Sequence, residues 1–383
     1  MRALVGASAP GVISLAAGTA ALERFAADAF RELSSALLRR DPTTVVGLGP
    51  AEGQPALRRA LARREDVRAE EVLILTGSQQ GLDLVSRCLL DPGDTVLMDR
   101  PGYIGALQTF RAAGVHLVGW DLARADSGEL EDLVVRYRPK LVYTNPSFQD
   151  PSGRVLPLEA RRDLLELAAR YRLPVIEDEP YRELFFDAPP PPSLRALDRH
   201  GVVISLGSFS KTLAPGPRLG WLVAVESIAD QLALVKVRGD IFSPTLPQLV
   251  VAELLAGRAF DEHLRALRQE HRHRRDTLQA ALRRHLPPGA LSWPSPAGGL
   301  YPWCRLDPRL DSARLLQEAA AAGVSFVAGE TFYPDGGGRH ELRLCFTAAP
   351  PRELEEGARR LGALLANPAA QRRLADAALR PLV

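Results

Sequence analysis

Val202-Val203-Ile204-Ser205-Leu206-Gly207-Ser208-Phe209-Ser210-Lys211-Thr212 is the stretch on which the reading of this 383-residue chain turns. The apolar, β-branched start spells a strand, and behind it a lysine arrives between two hydroxyls. The chain carries 48 Lys plus Arg, yet its only lysines are Lys140, Lys211 and Lys236. Basic positions elsewhere are arginine, so a lysine here asks for a reason. Guanidinium does not deprotonate in proteins, whereas an amine can lose its proton and condense with a carbonyl. Schiff-base formation is the chemistry that demands this choice. A surface lysine beside two serines is the competing account of the motif alone.

Working outward, short β-branched runs at 72–75, 95–98, 116–118, 141–143, 175–177, 202–206 and 221–225 alternate with amphipathic stretches at 79–90, 103–113 and 157–171. In the last of these Leu164, Leu165, Leu167, Ala168 and Tyr171 form one apolar stripe. Strands alternating with helices predict an α/β fold with a mostly parallel sheet flanked by helices. Such sheets bind ligands at the carboxyl ends of their strands. Beyond Ser243 the pattern changes to a long helix over 260–285, then turn signals. A smaller α+β unit follows, with strands at 300–306, 324–327 and 342–346 and a last helix starting near Pro351. The expected organisation is an N-terminal segment over 1–40 joining the small domain, a large domain over 41–280, and a C-terminal small domain over 281–383.

Composition narrows the function. Apolar residues make up 46% and charged residues 25%, which is ordinary for a globular protein, and the net charge is +2. No basic arm suggests nucleic acid. The richest basic cluster, His271-Arg272-His273-Arg274-Arg275, reads as a solvated helix face, and its two histidines fall on different sides of the helix, against a metal site. Cys88, Cys304 and Cys345 have no C-x-x-C spacing and no disulfide framework. No segment approaches roughly 18 uninterrupted apolar residues, and the start lacks a signal-peptide core, so the expectation is a cytoplasmic protein without a membrane span.

Several residues at strand ends carry polar chemistry. Thr76-Gly77-Ser78-Gln79-Gln80-Gly81 joins a strand to a helix, where free N–H groups suit an anion. Gly47-Leu48-Gly49-Pro50 resembles a dinucleotide loop but lacks its third glycine and a preceding strand. Asp178 and Tyr181 follow the 175–177 strand, either a structural carboxylate in a turn with a half-buried tyrosine or a pair that holds a protonated ring nitrogen and a neighbouring oxygen. Arg218 sits in a loop stiffened by Pro215, Gly216 and Pro217, which suits presentation to a phosphate, with a surface salt bridge as the competing account. Arg343 interrupts an apolar strand and needs a partner, for which a carboxylate is suited.

Together these elements resemble the fold-type I, pyridoxal-phosphate-dependent aminotransferases of class I/II. The nearest subgroup is the 2-aminoadipate aminotransferase type, which also forms the effector domain of MocR-type regulators. The resemblance runs from about Ile13 to the C-terminus. It rests on LAAGTAALERF (15–25), GPAEGQPALRRAL (49–61), TGSQQGLDL (76–84), RPGYIGAL (100–107), PSFQDPSG (146–153), EDEPYREL (177–184), GSFSKTLAPGPRLGW (207–221) and ELRLCF (341–346). It implies pyridoxal 5′-phosphate as cofactor and amino-group transfer between an L-amino acid and a 2-oxo acid. Lys211 would form the Schiff base and shuttle the proton, with Asp178 pairing the pyridine nitrogen and Tyr181 the ring 3-oxygen. Tyr103 would stack on the ring, while Ser78, Gln79, Ser208, Ser210 and Arg218 hold the phosphate. Arg343 would clamp the substrate α-carboxylate, and Gly18 would line the substrate pocket. A homodimer is implied as well.

Two positions depart from the family. The asparagine that donates to the 3-oxygen is Asp150 here; ionised, it would repel the phenolate and raise the Schiff-base pKa. Asn145 lies nearby, though its register argues against a compensating role. The tyrosine that reaches the neighbouring subunit's phosphate is Leu48. Thr19, Ala20, Ala21 and Arg24 are also unusual for the subgroup. These changes keep open a lyase, decarboxylase or oxidase on the same cofactor. A MocR-type regulator would need a helix-turn-helix module, and only about a dozen residues precede the region of resemblance.

Overall fold

Strand β1 (Ile13–Ser14) pairs in parallel with β11 (Val324–Ser325), so the start of the chain is stitched to its C-terminal part. The computed structural model describes residues 11–19, 21, 23, 25, 27–121 and 127–375; Ala20 and Arg24 lie outside them. Seven strands then build the central sheet: β2 (Val72–Leu75), β3 (Thr95–Asp99), β4 (His116–Trp120), β5 (Leu141–Thr144), β6 (Val175–Asp178), β7 (Val203–Ser208) and β8 (Gly220–Val223). Their order is β2-β8-β7-β6-β5-β3-β4. All neighbours from β7 to β4 are parallel, while β8 runs antiparallel to both β7 and β2. Strands β2, β5 and β6 are buried along their whole length, as expected of a sheet covered on both faces.

One face packs under the helices Ser78–Leu89, Ile104–Ala112 and Glu226–Asp240, through Leu82, Val85, Leu107, Phe110 and Leu232. The other packs under Ser127–Tyr137 and Leu158–Tyr171, through Leu130, Val134, Leu164 and Leu167. In the latter helix Tyr171 leaves the predicted stripe: it is exposed, and its hydroxyl donates to Glu131 at 2.9 Å. It is the last residue before an αL C-cap at Arg172, where the chain turns away from the core.

The smaller sheet has the order β12-β13-β10-β9, from β9 (Leu291–Ser292), β10 (Trp303–Leu306), β12 (Val327–Ala328) and β13 (Glu341–Arg343). Arg343 ends β13; the strand predicted at 342–346 stops there. Pro351–Ala366 begins where expected, but a further helix, Pro368–Leu374, follows it behind an Asn367 cap.

The long helix Ala259–His285 belongs to two cores. Phe260 and Leu264 sit with Val250 and Leu57, whereas Leu278, Ala281 and Leu282 sit with Leu354 and Leu361. That double burial corrects the reading of its basic cluster. His271, Arg274 and Arg275 are buried, and only Arg272 and His273 face solvent. Arg274 pairs with Glu270 at 2.7 Å and donates to the carbonyls of Thr347 and Ala349, so its charge is compensated inside. His271 has no hydrogen-bond partner on either ring nitrogen among the described residues, and burial holds its pKa down at about 3. No group of metal-ligating side chains occurs among the described residues. Among them also, no helix is long and apolar enough to cross a membrane.

Candidate active site

Polar residues gather where the parallel strands end. Asp178 closes β6, Asn145 follows β5, and Ser208 closes β7. Ser208 caps the one-turn helix Phe209–Thr212 by accepting from Ser210 N–H at 3.2 Å, and that turn projects Lys211. A cavity of about 270 Å³ lies over these ends. Its wall includes Ser78, Gln79, Tyr103, Asn145, Asp178, Tyr181, Ser208, Ser210, Lys211 and Arg218. A second cavity of about 880 Å³ shares Gln79, Tyr103 and Lys211 with the first and adds Gly18, Asp150, Tyr301 and Arg343. The two spaces therefore meet at the lysine.

The smaller cavity is lined by both cationic and acidic groups. Gly77 adopts φ +91°, and a Cβ there would lie 2.9 Å from Arg218 Nη2. Only glycine lets this turn start the Ser78–Leu89 helix so close to the guanidinium, which donates to Thr76 O at 3.1 Å. A helix N-terminus and an arginine thus face the same space, a fit for a phosphate. In the same lining Asp178 is buried; its Oδ2 accepts from the Tyr143 hydroxyl at 2.9 Å, while Oδ1 has no partner among the described residues. Burial pushes its pKa up to about 7, against the lowering influence of the Tyr143 hydrogen bond. A cationic ring N–H placed at Oδ1 would satisfy the orphan oxygen and favour the charged carboxylate.

Burial also lowers the pKa of Lys211, and Asp150 acts in the opposite direction. A desolvated amine spends more of its time neutral, the form that attacks a carbonyl. Its Nζ donates to Gly18 O. Gly18 admits no side chain, because a Cβ would fall 1.7 Å from the Tyr301 hydroxyl. These features fit pyridoxal phosphate: an amine for the aldehyde, a carboxylate for the ring nitrogen and a cationic cradle for the phosphate.

The structure places Asp150 differently from the other nine expected cofactor residues. It lines the larger cavity, where one carboxylate oxygen pairs with Arg343 Nη1 and the other accepts from the Tyr181 hydroxyl at 3.3 Å. Arg343 is 4% exposed, donates to Ala16 O at 2.9 Å, and lies 4.1 Å from the Tyr301 ring centroid and 5.1 Å from that of Phe332. Burial works against its charge, and Asp150 offsets this so that the guanidinium stays firmly protonated. The partner that the isolated arginine required is a carboxylate of the chain itself.

Asn145, set aside on register, does line the smaller cavity. Its amide donates to the Asp178 carbonyl and its Oδ1 accepts from Asp150 N–H at 2.7 Å. The available signal was its place directly after a parallel strand. Tyr301 had none, since it lies in an apolar run far along the chain.

Comparison with known proteins agrees with this geometry. Residues 10–361 match the family described as aminotransferase class I and II. A 2-aminoadipate transaminase of Thermus thermophilus is 38% identical over 93% of this chain and 90% of its own length. The solved structure of LysN, an α-aminoadipate aminotransferase from Thermus thermophilus complexed with N-(5′-phosphopyridoxyl)-L-leucine, superposes with a TM-score of 0.90 at 38% identity, covering 95% of this chain and 93% of that one. An HTH-type transcriptional regulator of Bacillus subtilis, YdfD, is 33% identical over 78% of this chain but only 62% of its own length. With a lysine, a buried carboxylate and a cationic cradle at the strand ends of this sheet, a chain so matched is a member of the class I and II aminotransferases that transfers amino groups with pyridoxal 5′-phosphate.

Proposed function

We propose that the chain moves an amino group between an L-amino acid and a 2-oxo acid, with Lys211 as the amine that holds the cofactor aldehyde and then carries the substrate α-proton on Nζ. The observation that carries this reading is that Lys211, Asp178, Ser78 and Arg218 line one cavity. The bound cofactor supplies an electron sink for the bond broken at the α-carbon. Asp178 keeps the ring nitrogen protonated through its free Oδ1. With the cofactor bound, Tyr181 would offer its hydroxyl to the ring oxygen, and Tyr103 would stack on the ring. Ser78, Gln79, Ser208, Ser210 and Arg218 would hold the phosphate, while Asp150 would act on the cofactor through its contact with Tyr181 and its charge near Lys211. On the substrate side Arg343 binds the α-carboxylate and Gly18 leaves room for the donor beside Tyr301.

The active assembly is a homodimer in the cytoplasm, without a nucleic-acid partner. Exposed Val46, Leu48 and Ile241, at 78%, 86% and 60%, support burial of this face against a second copy. Size-exclusion chromatography with light scattering tests it, and a monomer at micromolar concentration refutes it. The chemistry is tested with Lys211→Ala. Borohydride treatment of the loaded protein should fix a pyridoxyl label on residue 211, and the variant should take no label and transfer no amino group. A label elsewhere overturns the assignment.

A further inference from the structure

The pairing of Asp150 with Arg343 bears on which amino donors the site accepts. Arg343 and Asp150 are 4% and 2% exposed, and both line the larger cavity beside Lys211. A buried guanidinium must have an anion, and in a site where the substrate α-carboxylate is that anion, a donor lacking it leaves the charge stranded. Here the charge is never stranded. Asp150 Oδ1 meets Nη1, Ala16 O accepts from Nη2, and the rings of Tyr301 and Phe332 lie against the guanidinium. An incoming carboxylate meets a neutralised pair, and it must displace Asp150 or share the arginine with it.

We propose that Asp150 is a resident carboxylate for Arg343, which makes the site accept primary amines without an α-carboxylate as amino donors alongside amino acids. The proposal rests on the aminotransferase reading above, with Arg343 as the carboxylate site. The exchange balances without an outside oxidant. The amine R–CH2–NH2 gives up its amino group and two electrons to the cofactor and leaves, after water adds, as the aldehyde R–CHO. The 2-oxo acid then receives the amino group and the electrons, releases that water, and leaves as the amino acid. Asp150 enters neither bond change; it is a specificity-determining residue that sets the charge the donor meets. Acid substrates reach the arginine by sharing Nη1 with Asp150 or displacing it; Nε is buried without a partner among the described residues.

The test pairs each amino acid with the amine of the same side chain: L-leucine with 3-methylbutylamine, and L-phenylalanine with 2-phenylethylamine. Single-turnover loss of the cofactor absorbance in the loaded enzyme gives kcat/KM for each. Dividing one by the other cancels effects on the cofactor itself. The wild type should convert both members of a pair, within about a hundredfold of one another. Asp150→Asn, which leaves the guanidinium unpaired, should shift the ratio toward the amino acid by roughly ten- to hundredfold. Isovalerate, a carboxylate with no amino group, should inhibit the wild type weakly and the variant more tightly by a similar factor. Should Asp150→Asn fail to fold, the wild-type amine rates and isovalerate inhibition decide alone. Amino-acid conversion with no amine conversion and tight isovalerate binding overturns this inference and leaves the aminotransferase reading intact. Absorbance unchanged by all four donors and by a broad amino-acid panel overturns that reading first.

Discussion

Asp178 should make the cofactor-free protein less stable as the pH rises, and Asp178→Asn should remove that dependence. Burial lifts the carboxyl from its ordinary 3.8 to about 7 in the fold. Between those values the folded chain holds a proton that the unfolded chain has released. Stability therefore falls as pH climbs from about 4 to about 7 and is lost in full above the folded value. The shift of about three pH units corresponds to roughly 4 kcal/mol, with a steepest slope of about 1.4 kcal/mol per unit. Asparagine has the same shape, accepts the Tyr143 hydroxyl, and does not titrate. Urea unfolding of cofactor-stripped wild type and variant at half-unit steps from pH 5 to 8 measures the difference. The wild type should lose ground to the variant up to about pH 7 and level off above it. Pyridoxal phosphate should then stabilise the wild type at pH 8 more than the variant, because a cationic ring N–H favours the ionised carboxylate that only the wild type has. Parallel pH profiles would refute the argument, since they would mean that the orphan oxygen is solvated in the empty fold.

Two further outcomes follow from side chains at fixed places. His271, buried without partners, has its pKa depressed from 6.5 to about 3; its contribution to stability is present above pH 6.5 and drains away as pH falls through about 3. His271→Leu should flatten that acid limb in thermal unfolding, and an unchanged limb would place its ring in contact with water. Gly18→Ala drives a methyl into the Tyr301 hydroxyl, an overpacking worth about 1–3 kcal/mol; donor kcat/KM should fall at least tenfold while cofactor absorbance persists, and full activity would show that the loop yields freely.

What could be read in advance was local. A strand of four apolar residues is visible from its own composition, and Lys211, Asp178 and Arg218 stand beside such strands. The α/β architecture followed from alternation, including seven strands near the expected positions. Pairings across the chain were hidden. Asp150 and Arg343 are 193 positions apart, and neither residue announces the other. Asp150 stands out in the sequence as a departure beside the cofactor oxygen, but its pairing with Arg343 does not, because a linear motif cannot show which way a carboxylate turns. The basic run in the long helix misled for a related reason. Periodicity identifies one apolar face, and this helix is enclosed on more than one side, so buried arginines look like surface until their partner carbonyls are known.

That helix carries a consequence for how the protein comes apart. It has 27 residues, a rod of roughly 40 Å at 1.5 Å per residue. Its first turns are clasped by one hydrophobic interior and its last turns by another. Neither interior can melt without fraying the rod, and a frayed rod withdraws Leu278 and Leu282, or Phe260 and Leu264, from the other. Heat should accordingly dismantle the two lobes together, in a single calorimetric peak.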